Sequence, residues 1–201
     1  AKGDFERAVR IAGEVLAIRG KVVPSTFAHV GLVAKFDGGE TVSGEEAIVT
    51  RHGAIRSIAL DDPTAEANPE AVRAIREADL IVMGPGSVYT SVIPNLLVGG
   101  IREAVLAAKC PRVYVCNVMT QPGETDGMAA SEHASAVMRA CEGKPFDYVV
   151  VNTGVPATDV LEKYALSGQH LVEVDADRLK AMSLRILRGD TLSAHDGARH
   201  D

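Results

Sequence analysis

The chain has 201 residues, 46% of them hydrophobic and 24% charged, which is enough for one domain with a sizeable core. A net charge of −6 with no basic run, 4% aromatic residues and no tryptophan disfavour a nucleic-acid footprint or a base-stacking platform. No apolar run approaches a membrane span, the start Ala1-Lys2-Gly3-Asp4-Phe5-Glu6-Arg7 does not read as a signal peptide, and Cys110, Cys116 and Cys141 form no CxxC pair, so the expectation is a cytoplasmic protein with reduced cysteines.

Asp4 caps a predicted helix from Phe5 to Ile18, where Phe5, Ala8, Val9, Ala12, Val15 and Leu16 recur at helical spacing and Gly20 is the stop. His29–Phe36 and Thr41–Val49 read as strands joined by a hairpin-type turn at Asp37-Gly38-Gly39, with Ala54–Leu60 as a third strand. This piece is expected as a small antiparallel insertion or an edge meander. Asn68-Pro69-Glu70 supplies a cap, a first-turn proline and an acid for a helix to Ala78. Leu80-Ile81-Val82-Met83, apolar at successive positions, suits a strand buried on both faces.

Beyond it the pattern alternates. Ile101–Lys109 reads as helix, Arg112–Cys116 as strand, a helix capped by Ser131 runs to Cys141, and Asp147–Val151 is a strand. Asp159–Leu166 reads as a helix stopped by Gly168, His170–Val174 as a strand, then a short helix and a last strand near Ser183–Leu187. The polar tail Ala194–Asp201 reads as loosely held or as part of a continuation. Strands alternating with helices imply right-handed crossovers and a doubly wound, mainly parallel α/β sheet.

In open parallel sheets ligands bind beyond the carboxyl ends of the strands, so the loops there carry the functional expectation. Gly84-Pro85-Gly86-Ser87 follows the first such strand, and Ser87, Thr90 and Ser91 add three hydroxyls before the apolar stretch Val92–Leu97. Glycines that tolerate positive φ, free N–H groups and hydroxyls at a helix start make a phosphate site; the alternative is a tight turn with nothing bound. The loop is neither the dinucleotide fingerprint nor a Walker loop. The second loop runs from Asn117 to Gly127, the third is Asn152-Thr153-Gly154, and the fourth begins at Asp175. All four are expected on one rim.

The Asn117 amide suits a nucleobase edge or a sugar hydroxyl, and Thr120, Gln121 and Thr125 extend that choice. Glu124 and Asp126 could hold a metal or sugar hydroxyls, or the loop could be self-bonded around Pro122 and Gly123. Tyr89 could stack on a ligand ring or pack on the next helix. Ser87 is not in a GxSxG elbow, and the six histidines have no metal-type spacing. His29 is read as structural and His133 as a surface or packing residue.

Two long motifs, GPGSVYTSVIPNLLVGGI at Gly84–Ile101 and VYVCNVMTQPGETDG at Val113–Gly127, resemble the signature of the YvcK gluconeogenesis-factor family within the CofD-like superfamily. GDFERAV near the start, VPSTFAHVGLVA at Val23–Ala34 and the final RHD extend the resemblance over nearly the whole chain. The family's opening GGGTG-type and DDGGSSG-type loops are absent, so the chain looks like the C-terminal two-thirds of one CofD-like domain. The resemblance implies a Rossmann-like fold. It also implies one of two activities.

The YvcK branch binds UDP-sugars and controls growth and cell shape on gluconeogenic carbon. The CofD branch transfers a phospholactyl group from a guanosine-diphosphate carrier to a deazaflavin precursor. GPGSVYTS and NVMTQPGETDG favour the first branch over the GPSNP-type loop of the transferases. The expected ligand residues are Gly84, Pro85, Gly86, Ser87, Tyr89, Thr90 and Ser91, and Asn117, Met119, Thr120, Gln121, Glu124 and Thr125. Gly84, Gly86, Ser87, Thr90 and Ser91 would hold the diphosphate, Asn117 and Thr120 the nucleoside or sugar. Expected partners are a UDP-sugar or related nucleotide diphosphate and, as a candidate, a second copy in a homo-oligomer. For a transferase the expectation adds magnesium, whose carboxylates would lie in the absent segment, so catalytic and metal residues stay unassigned.

Overall fold

The structure, a computed structural model, describes residues 8, 9, 11 and 19–192. The helix expected over Phe5–Ile18 lies outside the described residues except at Ala8, Val9 and Ile11, which are helical, and the polar tail lies outside them entirely. Two sheets share one core. The first is antiparallel, with β1 (Leu32–Phe36) between β2 (Thr41–Ser43) and β3 (Ile55–Leu60). The second is parallel, in the order β4 (Ile81–Met83), β5 (Arg112–Val115), β6 (Tyr148–Asn152), β7 (Arg185–Gly189). This is the α/β class expected, with the antiparallel piece near the N-terminus. No helix among the described residues is long and apolar enough to cross a membrane.

The β1–β2 turn closes as read: Gly39 sits at φ 84° and its N–H donates to the Phe36 carbonyl at 2.9 Å. The second strand is shorter than expected. Gly44, at φ 95°, ends β2, and Glu45–Arg51 forms a helix, α1, with Glu45 and Glu46 in its first turn and Arg51 in its last. Only Ile48 is buried in α1, and Gly44 with the acids at the helix start and Arg51 at its end favours a helix over a continued strand. Helix α2 (Pro69–Glu77) starts as predicted, with the Asn68 side chain accepting from the Glu70 N–H at 3.0 Å.

After β4 the chain enters a π-helical turn, Val88–Val92, that runs straight into α3 (Ile93–Leu97); α4 (Ile101–Ala107) then leads to β5. Helix α5 (Ala130–Ala140) joins β5 to β6, and α6 (Thr158–Leu166) and α7 (Ala176–Ala181) join β6 to β7. Ser131 is not the α5 cap. The helix begins one residue earlier, Glu132 bonds back to the Ala129 N–H at 2.9 Å, and the Ser131 hydroxyl donates to Asp175 at 2.5 Å. His170–Val174 is not a sheet strand either. It pairs antiparallel with the loop beyond β5, through a Met119–Leu171 bridge and a Val172 N–H to Val118 carbonyl bond of 2.8 Å.

The core runs from Ala34, Phe36 and Leu60 of the antiparallel sheet through Ile93 and Leu96 of α3 to Tyr114, Val149 and Val151. Tyr114 and Phe146 stack with ring centroids 5.1 Å apart. Leu80–Met83 is not buried on both faces: Leu80 and Val82 are each 53% exposed, and β4 is an edge strand of the sheet among the described residues.

Candidate functional site

The carboxyl ends of β4 and β5 deliver the two motif loops to the same place. Gly86 and Asn117, 31 positions apart in sequence, clasp each other: the Gly86 N–H donates to Asn117 Oδ1 at 3.2 Å, and Asn117 Nδ2 donates to the Gly86 carbonyl at 2.8 Å. An amide is suited to this because one side chain both accepts from and donates to a peptide unit. The same Nδ2 lies 3.5 Å from Gln121 Oε1. Gly84 and Gly86 do not serve as left-handed residues, since neither is among the positive-φ glycines. A Cβ at Gly84 would meet nothing within 4 Å, so its contribution is open backbone.

Glu124 is the second tie. Its carboxylate, 5% exposed, accepts from the Ser87 hydroxyl, from Thr90 Oγ1 at 3.0 Å and from the Tyr89 N–H at 3.3 Å. It thus receives donors from the first turn of the π-helix, where orphan N–H groups and the positive end of the helical backbone favour an anion. Ser87 also caps that turn, accepting from the Thr90 N–H at 3.3 Å. The N–H groups of Ser87 and Val88 have no acceptor among the described residues. π-Helical turns of this kind are frequent at functional sites.

The long loop is fixed internally. Thr125 Oγ1 accepts from the Gln121 N–H at 2.8 Å, and Asp126 accepts from the Gly123 N–H at 2.7 Å. Thr120 pairs twice with His170, through N–H to carbonyl at 2.7 Å and His170 N–H to Oγ1 at 2.9 Å. Gly123, at φ 84°, touches α1 so closely that a Cβ there would overlap the Val49 carbonyl.

These ties enclose a cleft of about 520 Å³ lined by Pro85, Gly86, Ser87, Asn117, Val118, Met119, Gln121, Pro122, Glu124, Val49, Tyr164 and Gln169. Of the expected ligand residues, Pro85, Gly86, Ser87, Asn117, Met119, Gln121 and Glu124 line it. Gly84 borders the loop without lining the cleft, and Ser91 is exposed away from it, its carbonyl accepting from Asn95 Nδ2 at 2.7 Å. Tyr89, Thr90, Thr120 and Thr125 are buried at 5%, 9%, 2% and 0% exposure and support the wall from behind. Burial raises the Tyr89 phenol, with Arg139 partly offsetting it.

Val49, Tyr164 and Gln169 were not anticipated. Val49 was assigned to a strand, and Tyr164 and Gln169 flank the end of α6, far from either motif; the only sequence signal there was the stop at Gly168. The third loop lines a smaller neighbouring cavity of about 180 Å³ with Cys116, Asn117 and Val174. Asp175 lines neither cavity and accepts from the Ser131 hydroxyl and N–H.

Two chemistries find no support in the residues present. Among the described residues no group of three His, Cys, Asp or Glu side chains is placed to hold a metal ion, and the Glu124 and Asp126 carboxylates both accept hydrogen bonds within the loops. Burial pushes the Cys116 thiol up to about 12 and Cys141 to about 11, which keeps both protonated and poor nucleophiles.

Comparison with known proteins supplies the remaining information. The model of the family described as 2-phospho-L-lactate transferase CofD matches residues 1–192. A relative from Thermotoga maritima is 46% identical over 179 residues, covering 89% of this chain and 56% of its own length. The Bacillus subtilis strain 168 protein named gluconeogenesis factor is 40% identical, over 99% of this chain and 62% of its own length. A crystal structure of a member of the UPF0052 family from Bacillus halodurans superposes with a TM-score of 0.93 at 38% identity, over 98% of this chain and 64% of that one. The chain thus spans 56% and 62% of the lengths of these two curated relatives.

Proposed function

The chain belongs to the CofD family, and we propose that within it this protein is a nucleotide-sugar-binding regulator of bacterial carbon metabolism, of the kind its gluconeogenesis-factor relatives are named for. The reading extends to a UDP-sugar or related nucleotide diphosphate as ligand and to control of growth and cell shape on gluconeogenic carbon. The observation that carries it is the cleft itself. Its size suits a small ligand, it lies beyond the carboxyl ends of parallel strands, and unused N–H groups of Ser87 and Val88 stand at a helix start beside it.

In this reading the Ser87 and Val88 N–H groups donate to the diphosphate, and Gly84 and Gly86 let the backbone come close to it. Gln121 and Gln169 offer amides to the sugar, and Tyr164 an aromatic face to the base. Asn117 contributes mainly by holding Gly86 in place. Thr90 acts through Glu124 and not by direct contact.

Ligand at a hundredfold over its dissociation constant should stabilise the fold by about 2.7 kcal/mol, read as a thermal shift. Ser87→Ala removes the hydroxyl that ties Glu124 and caps the turn presenting the free N–H groups, and should weaken binding roughly tenfold or more. Absence of any shift with UDP-sugars, GDP or dinucleotides would sink the reading. The family match to a transferase favours a second one, in which a phospholactyl-type group leaves a nucleoside-diphosphate carrier. Incubation with UDP- and GDP-linked donors and magnesium separates the two, since turnover belongs only to the second.

A further inference from the structure

The opposite end of the parallel sheet holds a cavity of about 430 Å³ that the cleft chemistry does not involve. It is lined by residues at the amino ends of β5, β6 and β7, among them Lys109, Lys144 and Arg185. In a chain with 27 acidic and 21 basic side chains, three cations meeting without a carboxylate partner are unexpected. Asp147 is the one carboxylate in the lining, and Arg112 takes both of its oxygens at 3.1 Å each. Lys109 has no partner among the described residues. Lys144 Nζ donates one hydrogen to the Ser183 carbonyl at 2.8 Å, which leaves two. Arg185 donates to the Tyr148 hydroxyl at 3.0 Å and lies over its ring, 5.5 Å from the centroid, so most of its fork stays available.

The cavity is also held in shape. The Asp147 N–H donates to the Arg112 carbonyl at 2.8 Å, and the Arg185 N–H to the Asp147 carbonyl at 3.0 Å. The Ile81 N–H donates to the Pro111 carbonyl at 3.0 Å. The backbone carrying these side chains is thus ordered before a ligand arrives, so only side-chain freedom is lost on binding.

We propose that this cavity is a second binding site, for the phosphate or diphosphate of a soluble small molecule. Three cations from three loops match an oxyanion carrying more than one charge, and the space exceeds that of a lone inorganic phosphate.

Cys110 lines this cavity and not the cleft, and it is the only one of the three cysteines that is not buried, so its alkylation by iodoacetamide reads this site alone. In the full chain, inorganic pyrophosphate should slow Cys110 labelling saturably, and sodium chloride of equal ionic strength should not. The double variant Lys109→Gln, Arg185→Gln, at two exposed positions checked for folding by circular dichroism, should need roughly tenfold or more pyrophosphate for the same protection. Ser87→Ala should leave the protection intact. Unchanged labelling, equal protection by chloride, or protection that survives the double substitution would overturn the site. Protection by citrate equal to that by pyrophosphate would overturn the phosphate assignment.

Discussion

The two rims of the parallel sheet are both made of the loops that join strands to helices, yet their chemistry is opposite. The carboxyl-rim cleft is uncharged apart from Glu124, which is buried and fully engaged, and among the described residues no lysine or arginine lines it. The amino rim concentrates cations and leaves three of them without carboxylates. The difference follows from what holds each loop. On the carboxyl rim polar side chains are consumed in tying one loop to another, and the donors left over are backbone N–H groups. On the amino rim the backbone does the tying, through Asp147 and its neighbours, and the side chains are left over. Substitutions should therefore unfold the first rim and merely change the binding of the second.

Gly123→Val tests that contrast most severely. A β-branched residue at φ 84° is strained, and its Cβ would overlap the Val49 carbonyl, so urea unfolding should show a loss of about 3 kcal/mol or more. A near-neutral result would mean that α1 is not bound into the carboxyl rim. Glu124→Ala comes next. It leaves two hydroxyls and the Tyr89 N–H without their acceptor in a buried setting, which should cost about 2–3 kcal/mol and abolish the ligand-induced thermal shift.

The third test uses pH. His133 on α5 is fully buried, its Nδ1 lies 3.0 Å from the Ala129 carbonyl, and its Nε2 has no partner among the described residues. Desolvation lowers its pKa, with the Ala129 carbonyl and Glu132 opposing. The neutral imidazole is thus favoured in the folded chain, and only the unfolded chain takes up a proton at the ordinary value of 6.5. Its contribution is full above that pH and is lost as pH falls through the lower folded value, at no more than about 1.4 kcal/mol per pH unit. His133→Phe should flatten the unfolding free energy between pH 7 and pH 5, roughly the range in which an imidazole titrates; an unchanged slope would assign the dependence elsewhere. The smallest effect belongs to the amino rim. Asp147→Asn breaks a pair whose carboxylate is 36% exposed, and the loss should stay under about 1 kcal/mol. A larger cost would show that the amino rim also depends on its side chains for stability.

The sequence reading succeeded where the signal is local. Asn68-Pro69-Glu70 starts a helix because cap, proline and acid act within one turn, and Asp37-Gly38-Gly39 makes a hairpin because Gly39 alone accepts the needed φ. It failed where two local signals competed, as at Thr41–Val49, and where an extended segment found its partner outside the sheet, as at His170–Val174. The loops of the candidate site were legible because strand ends, glycines and hydroxyls mark them in one dimension.

What each hydroxyl and amide does was not written there. Glu124 lies 37 residues from Ser87, and Asn117 lies 31 from Gly86. A carboxylate that reads as a free ligand group in sequence becomes a buried acceptor once the fold brings donors to it, because an unpaired buried charge is costly and the nearest donors are on the other loop. The cationic rim illustrates the same limit: Lys109, Lys144 and Arg185 form no run in sequence, and only the parallel register of β5, β6 and β7 brings their amino ends together at one end of the sheet.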